Sequence, residues 1–342
     1  MSVSDKNIPA ETRGSYPPHP ASKYVEGILR GDRILLSQAI TLVESTLPAH
    51  QQLAQEIVAK CLPHSGQSQR IGITGSPGAG KSTFIEALGT HLTSRGHRLA
   101  VLAVDPSSQV SGGSILGDKT RMSCLSGDSR AYVRPSPAGD ALGGVASHTR
   151  ETILLCEAAG FDTIFIETVG VGQSETTVCE MVDFFLLLLQ PAAGDELQGI
   201  KRGIVEMADL IAINKADGDL VEQAKTARQE YSRALHLFPR KESGWVPQVI
   251  TCSALTGDGI EEIRDITGQF FQLTGNNGWL EKNRHQQAKH WMHEHIGRAL
   301  KGAFFKNAAV RQKLSFYESK VQAGKTSPLA AAKQLLELFW KG

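Results

Sequence analysis

Eight consecutive residues, Gly75-Ser76-Pro77-Gly78-Ala79-Gly80-Lys81-Ser82, bring together the groups needed to capture a phosphate chain. Glycines let successive backbone N–H groups close around an anion, and a following helix N-terminus adds a favourable dipole. The run satisfies G-x-x-x-x-G-K-[ST] without a gap, and Thr83 continues it. In that pattern Lys81 reaches the β- and γ-phosphates and the Ser82 hydroxyl ligates Mg²⁺. A Gly-rich turn could match by chance. The flanks argue otherwise, because a β-like run (71–74) precedes the loop and a helical run (83–88) follows it.

A second loop reads a base. Asn214-Lys215-Ala216-Asp217 matches N-K-x-D after an apolar run. The Asp217 carboxylate can accept from both N1–H and the exocyclic amine of guanine. Adenine would leave it unpaired, at a cost. Ser253-Ala254-Leu255 follows the next strand candidate, where another guanine-contacting loop would sit. The expected substrate is therefore GTP.

Three carboxylates mark a metal region. Asp105 ends one strand candidate, Asp118 lies thirteen residues on, and Glu167 ends another strand candidate. Hard divalent ions take oxygen ligands, and ligands gather outside the carboxyl ends of parallel strands. Together with Ser82 they form the expected Mg²⁺ set, with direct and water-mediated ligands left open. Gln173 is the candidate for orienting the attacking water, with a solvated loop amide as its bland alternative. Lys119 and Arg121 are further candidates for countering phosphate charge.

These groups must be positioned by a scaffold. Strand candidates at 71–74, 99–104, 131–134, 163–167, 184–189, 210–214 and 248–251 alternate with helical patterns. That alternation predicts an α/β fold of the P-loop NTPase kind, a mostly parallel sheet flanked by helices. Residues 1–22, rich in Pro and Ser, are expected to be a disordered tail. Helical spacing punctuated by Gly31 and Pro48 predicts an N-terminal helical segment over 23–64 in two or three helices. The nucleotide domain then covers 65–274, and a C-terminal helical extension covers 275–342.

Composition narrows the partners. The 342 residues carry a formal charge of +1 and are 21% charged, which argues against a nucleic-acid backbone as partner. Five scattered cysteines, none as C-x-x-C, point to a reduced cytoplasmic chain without disulfides. No signal-peptide pattern is present, and the apolar run 184–189 is too short to cross a bilayer.

With these motifs in hand, the chain resembles the MeaB/ArgK family, P-loop GTPases associated with adenosylcobalamin-dependent methylmalonyl-CoA mutase. The resemblance covers about residues 25–340. Its specific marks are 75–83, Val104-Asp105-Pro106-Ser107-Ser108, 112–122, 167–175, 194–203 and 214–217, of which 112–122 and 167–175 discriminate the family best. It implies Mg²⁺-dependent GTP hydrolysis coupled to a mutase, with 106–120 and 169–178 sensing the nucleotide. It further implies that Gly194-Asp195-Glu196-Leu197-Gln198-Gly199-Ile200-Lys201 communicates with the mutase. A homodimer built partly through the C-terminal helices is implied as well. Ala192-Ala193 departs from the more glycine-rich stretch the family leads one to expect there.

Rival readings predict different residues. A kinase linked to basic-amino-acid transport needs an acceptor pocket and gains nothing from N-K-x-D. A metallochaperone GTPase needs a Cys/His cluster for a soft or borderline metal. Only His285, His290, His293 and His295 cluster, on a charged helical tail that reads better as an exposed polar face. A pure interaction protein with a degenerate site would not keep the intact phosphate loop and carboxylates.

Overall fold

The computed structural model describes residues 19–104, 122–135, 142–168, 174–191 and 202–341. Seven strands lie within them: β1 Gln69–Gly75, β2 Leu99–Val104, β3 Ala131–Pro135, β4 Thr163–Thr168, β5 Phe184–Leu189, β6 Leu210–Ile213 and β7 Gln248–Thr251. The helices are α1 Ala21–Leu29, α2 Arg33–Glu44, α3 Pro48–Cys61, α4 Lys81–Ser94, α5 Ser123–Gly127, α6 Leu142–Ala158 and α7 Ser174–Cys179. They continue with α8 Arg202–Met207, α9 Val221–Leu235, α10 Ile260–Asn276, α11 Trp279–Lys306, α12 Ala308–Gln322 and α13 Pro328–Lys341.

All pairings are parallel, in the order β3-β2-β4-β1-β5-β6-β7. The expected α/β architecture is present. Side chains alternate across a strand, so a strand covered on both faces must be apolar throughout. In β5 (Phe-Phe-Leu-Leu-Leu-Leu), Phe184, Leu186 and Leu188 enter a core with Phe84, Ile85 and Phe270 from α4 and α10. Leu187 and Leu189 enter the opposite core with Val205 and Ala224 from α8 and α9. Burying side chains of this size contributes about 1.5–3 kcal/mol each. The chain lays β2, β3 and β4 on one side of β1 and β5, β6 and β7 on the other. The crevice at this reversal lies outside the carboxyl end of β1.

The amino ends of the strands are closed by carboxylates. Asp162, Asp183 and Asp209 each accept a backbone N–H at the start of a neighbouring strand, from Arg98 (3.0 Å), Arg70 (3.0 Å) and Phe185 (2.8 Å). Glu157 of α6 collects Gly66 N, Ser68 Oγ, Arg70 Nε and Arg70 Nη2 at 2.6–3.0 Å, with the Glu157 and Arg70 side chains buried. Burial pushes the Glu157 carboxyl up, and the hydrogen bonds and charge of Arg70 pull it further down, so it titrates below its ordinary value. Asp209 also holds Lys241 at 2.7 Å, but there burial prevails and raises the carboxyl.

The N-terminal segment resolves into three helices around Ile28, Leu36, Ile40 and Ile57, all fully buried. Asp32 caps α2, accepting from Ile34 N and Leu35 N at 2.8 and 3.1 Å. Arg134 at the end of β3 pairs with Glu44 of α2 and donates to Ser37 and Thr41.

The chain divides into compact units at 1–280 and 281–342. Within the second, Asn307 caps α12 through Ala309 N and Val310 N, and the Phe304 and Phe339 rings meet edge-on at 5.5 Å. His285, His290, His293 and His295 occupy exposed positions of α11. No helix among the described residues is long and apolar enough to cross a membrane.

Three boundaries differ from the spacing-based expectation. Helix α1 takes in Ala21 and Ser22, because Ala21 is buried. The division falls after Leu280 rather than 274, because Trp279 and Leu280 pack on the core around Phe270. Strand β6 ends at Ile213, one residue short of the expected 214, although Asn214 N still donates to Leu189 O of β5 at 2.7 Å.

Candidate functional site

Strand β1 delivers the chain into the phosphate loop against close constraint. A Cβ on Gly75 would stand 2.1 Å from the Leu188 carbonyl oxygen of β5, so only glycine lets the loop leave the sheet there. Gly80 precedes α4 at φ 85°, a left-handed conformation that side chains disfavour, and a Cβ there would meet Asn214 Nδ2 at 2.8 Å. Between them Ala79 is fully buried, while Pro77 and Gly78 face solvent. Lys81 opens α4 with its Nζ 2.7 Å from Gly75 O and 3.2 Å from Ser76 O, so its ammonium already lies over the loop. Ser82 and Thr83 follow in the first turn.

The base loop is bound to the phosphate loop by a single side chain. Asn214 is 2% exposed; its Nδ2 donates to Ala79 O at 2.8 Å and its Oδ1 accepts from Ala254 N at 2.9 Å. One amide thus joins 75–83, 214–217 and 253–255. Cys252 Sγ lies 3.7 Å from the same Oδ1, and burial pushes that thiol up to about 12, so it stays a neutral weak donor. Lys215 is the one non-glycine residue with positive φ (61°) among the described residues. Ala216 N donates to Cys252 O at 2.9 Å, tying the two base loops together again. The Ser253 hydroxyl donates to Asp217 Oδ2, orienting the carboxylate expected to read guanine. Leu255 is fully on the surface of this loop.

Of the expected metal set, Ser82 stands in the first turn of α4 and Glu167 is buried near the end of β4, in register with Ile73 of β1 and Ala103 of β2. Strand β2 ends at Val104, immediately before Asp105. Asp105 itself, Asp118, Lys119, Arg121, Gln173 and the 194–201 segment lie outside the described residues. Motif reading did not anticipate the double bond of Asn214 to two loops. Nor did it anticipate the buried Thr168 Oγ1 to Thr74 Oγ1 hydrogen bond of 2.7 Å. Pattern matching assigns Asn214 to the nucleotide, whereas its polar atoms here hold backbone. Thr74 and Thr168 had a faint signal, as hydroxyls in otherwise apolar strands.

The architecture is that of known nucleotide-binding proteins. A family model described as methylmalonyl Co-A mutase-associated GTPase MeaB matches residues 36–309. A protein of Mycobacterium bovis named a probable GTPase is 50% identical over 308 residues, 90% of this chain and 92% of the relative. The mitochondrial methylmalonic aciduria type A homolog of Mus musculus is 49% identical over 323 residues, 92% of this chain and 78% of that protein. The crystal structure of a LAO/AO transport system kinase aligns with a TM-score of 0.75 at 38% identity, covering 94% of this chain and 97% of that one. With the phosphate and base loops both formed and the family model spanning most of the sequence, the chain belongs to the MeaB family of GTPases.

Proposed function

We propose that this GTPase is a Mg²⁺-dependent nucleotide switch serving an adenosylcobalamin-dependent mutase of the methylmalonyl-CoA type. Either it gates delivery of the cofactor or it protects the loaded mutase. The observation that supports the nucleotide half is the Asn214 tie, in which one buried amide bonds both the 75–83 loop at Ala79 O and the 253–255 loop at Ala254 N. The family description carries the mutase half. A metabolic kinase would have no use for guanine selection at Asp217.

The chain's own groups divide the work. Loop amides from 75–82 and the Lys81 ammonium bind and neutralise the phosphates, and Asp217 selects the base. Ser82 and the carboxylates Asp105, Asp118 and Glu167 are the oxygen donors that would hold Mg²⁺, and the buried Glu167 suits a hard cation better than solvent. When bound, that ion spreads the negative charge that develops on the transferred phosphoryl group. Gln173 is the residue proposed to orient water, and 194–201 the segment proposed to answer to the mutase.

Met292, Ile296 and Leu300 recur every four residues on α11 and stay about half exposed, at 54%, 47% and 55%. An apolar stripe of this kind supports self-association through the C-terminal helices. Sedimentation is expected to give a dimer, and Ile296→Glu a monomer. Five free cysteines fit a reducing, cytoplasmic setting.

The nucleotide reading is tested by titration calorimetry with GTP, XTP and ATP. Asp217→Asn is expected to lose guanine preference by roughly 3 kcal/mol, about two decades in affinity, while binding phosphates as before. Equal wild-type affinities for ATP and GTP would overturn it. The metal reading predicts no hydrolysis in excess EDTA, and turnover at the normal rate there would remove the Mg²⁺ assignment.

A further inference from the structure

Strands β1 and β4 run in register from Gln69↔Thr163 to Ile73↔Glu167, where their ladder stops. One residue further on, β1 belongs to β5 (Thr74↔Leu187, Gly75↔Leu188) and β4 belongs to β2 (Val104↔Thr168). The sheet therefore parts between β1 and β4 at its carboxyl edge, directly beneath the phosphate loop. Across that split Thr168 Oγ1 donates to Thr74 Oγ1 at 2.7 Å, with both residues out of contact with water. Thr74 is bonded to Gly75, the first residue of the loop, and Thr168 to Glu167.

Packing does not call for these hydroxyls. The buried positions between the strand ends are largely apolar, with Ile71, Ile73, Ile164, Phe165 and Ile166, while the buried polar side chains Arg70, Thr163 and Glu167 lie toward the ends. Valine has the same shape as threonine and suits a buried parallel strand at least as well. A desolvated hydroxyl is costly unless it is bonded, and here each answers the other. What the pair adds is a directional side-chain bond one level past the last β1–β4 partner pair among the described residues.

We infer that Thr74 and Thr168 are positioning residues for GTP hydrolysis, a clasp that fixes the phosphate loop relative to the strand end bearing Glu167. The inference rests on the Mg²⁺-dependent GTPase reading above. The clasp touches neither nucleotide nor ion; it sets the distance between the elements that do.

The test is the double variant Thr74→Val/Thr168→Val. Removing both partners leaves no buried hydroxyl unsatisfied, so thermal stability and GDP affinity are expected to stay close to wild type. Because small misplacements of reacting groups are expensive, kcat is expected to fall roughly tenfold or more, with KM for GTP changed less than about threefold. The Mg²⁺ concentration for half-maximal rate is expected to rise. Thr168→Ser alone, which keeps the Oγ facing Thr74, is expected to hold kcat near wild type. A stable double variant with wild-type kcat and Mg²⁺ dependence would show that the pair only packs. If the double variant does not fold, Thr168→Val and Thr168→Ser with equal kcat per folded molecule would overturn the clasp in the same way. A wild-type protein inactive on GTP with Mg²⁺ would instead sink the activity reading, and the clasp with it.

Discussion

The two ends of the same sheet treat charge in opposite ways. At the amino ends, carboxylates are satisfied by the fold itself: Asp183 and Asp209 cap neighbouring strands, and Glu157 is saturated by Arg70, Ser68 and Gly66. At the carboxyl ends, the loops are held open by glycines, a lysine at positive φ and a lysine ammonium resting on loop carbonyls. Polar groups at one end stabilise by being paired. Among the described residues, those at the other end tie loop to loop: Asn214 holds Ala79 and Ala254, Ser253 holds Asp217, and Lys81 lies over Gly75 and Ser76. Parallel strands make this division natural, because every loop that leaves a carboxyl end is followed by a helix whose amino terminus faces the same side.

The division is broken or sharpened by substitutions at each end. The largest expected effect is at the closed end. Glu157→Gln leaves the Arg70 guanidinium buried without its counter-charge and is expected to cost about 3–5 kcal/mol of stability. Turnover per folded molecule should be unchanged; a parallel loss of kcat would erase the contrast between the ends. Chemical denaturation and single-turnover assays measure the two quantities separately. Next comes Lys81→Ala at the open end, expected to lower kcat/KM by about two to three decades with the unfolding midpoint unmoved. A comparable loss of stability would mean that its contacts with Gly75 and Ser76 are structural.

The smallest effect is in pH. Glu157 titrates below its ordinary value when folded, so the unfolded chain binds its proton first as the solution is acidified. Its stabilisation is full above the ordinary carboxylate range and is lost as pH falls through the folded value. The stability gap between wild type and Glu157→Gln should therefore narrow on acidification. A gap that widened would reverse the assignment.

The open end was the more legible of the two. The phosphate loop, N-K-x-D and the Ser-Ala-Leu triplet are local patterns, each set by chemistry within a few residues, and the structure draws their loops together. The strands were legible for a related reason: Phe184 to Leu189 has no polar position and so must be covered on both faces. The closed end was not legible. Arg70 and Glu157 are 87 residues apart, and nothing in either neighbourhood names the other. The same holds for Asn214 and Ala79, 135 apart, where a motif pointed to the ligand and the fold used the side chain on itself. Pairings of this kind follow from the strand order, which a single sequence does not spell out.

Asn214 also sets how the molecule ages. Asparagine amides hydrolyse slowly to aspartate, and the change is nearly invisible in size. At this position it would be anything but silent. The Nδ2 donor facing Ala79 O would become an oxygen, setting acceptor against acceptor, and a negative charge would be buried between the phosphate loop and the base loops. A single deamidation event, adding one mass unit, is thus expected to weaken the tie between the phosphate loop and the base loops. Near-complete burial shields the amide from water in the folded state, so the lesion should accumulate in proportion to the time the chain spends locally open.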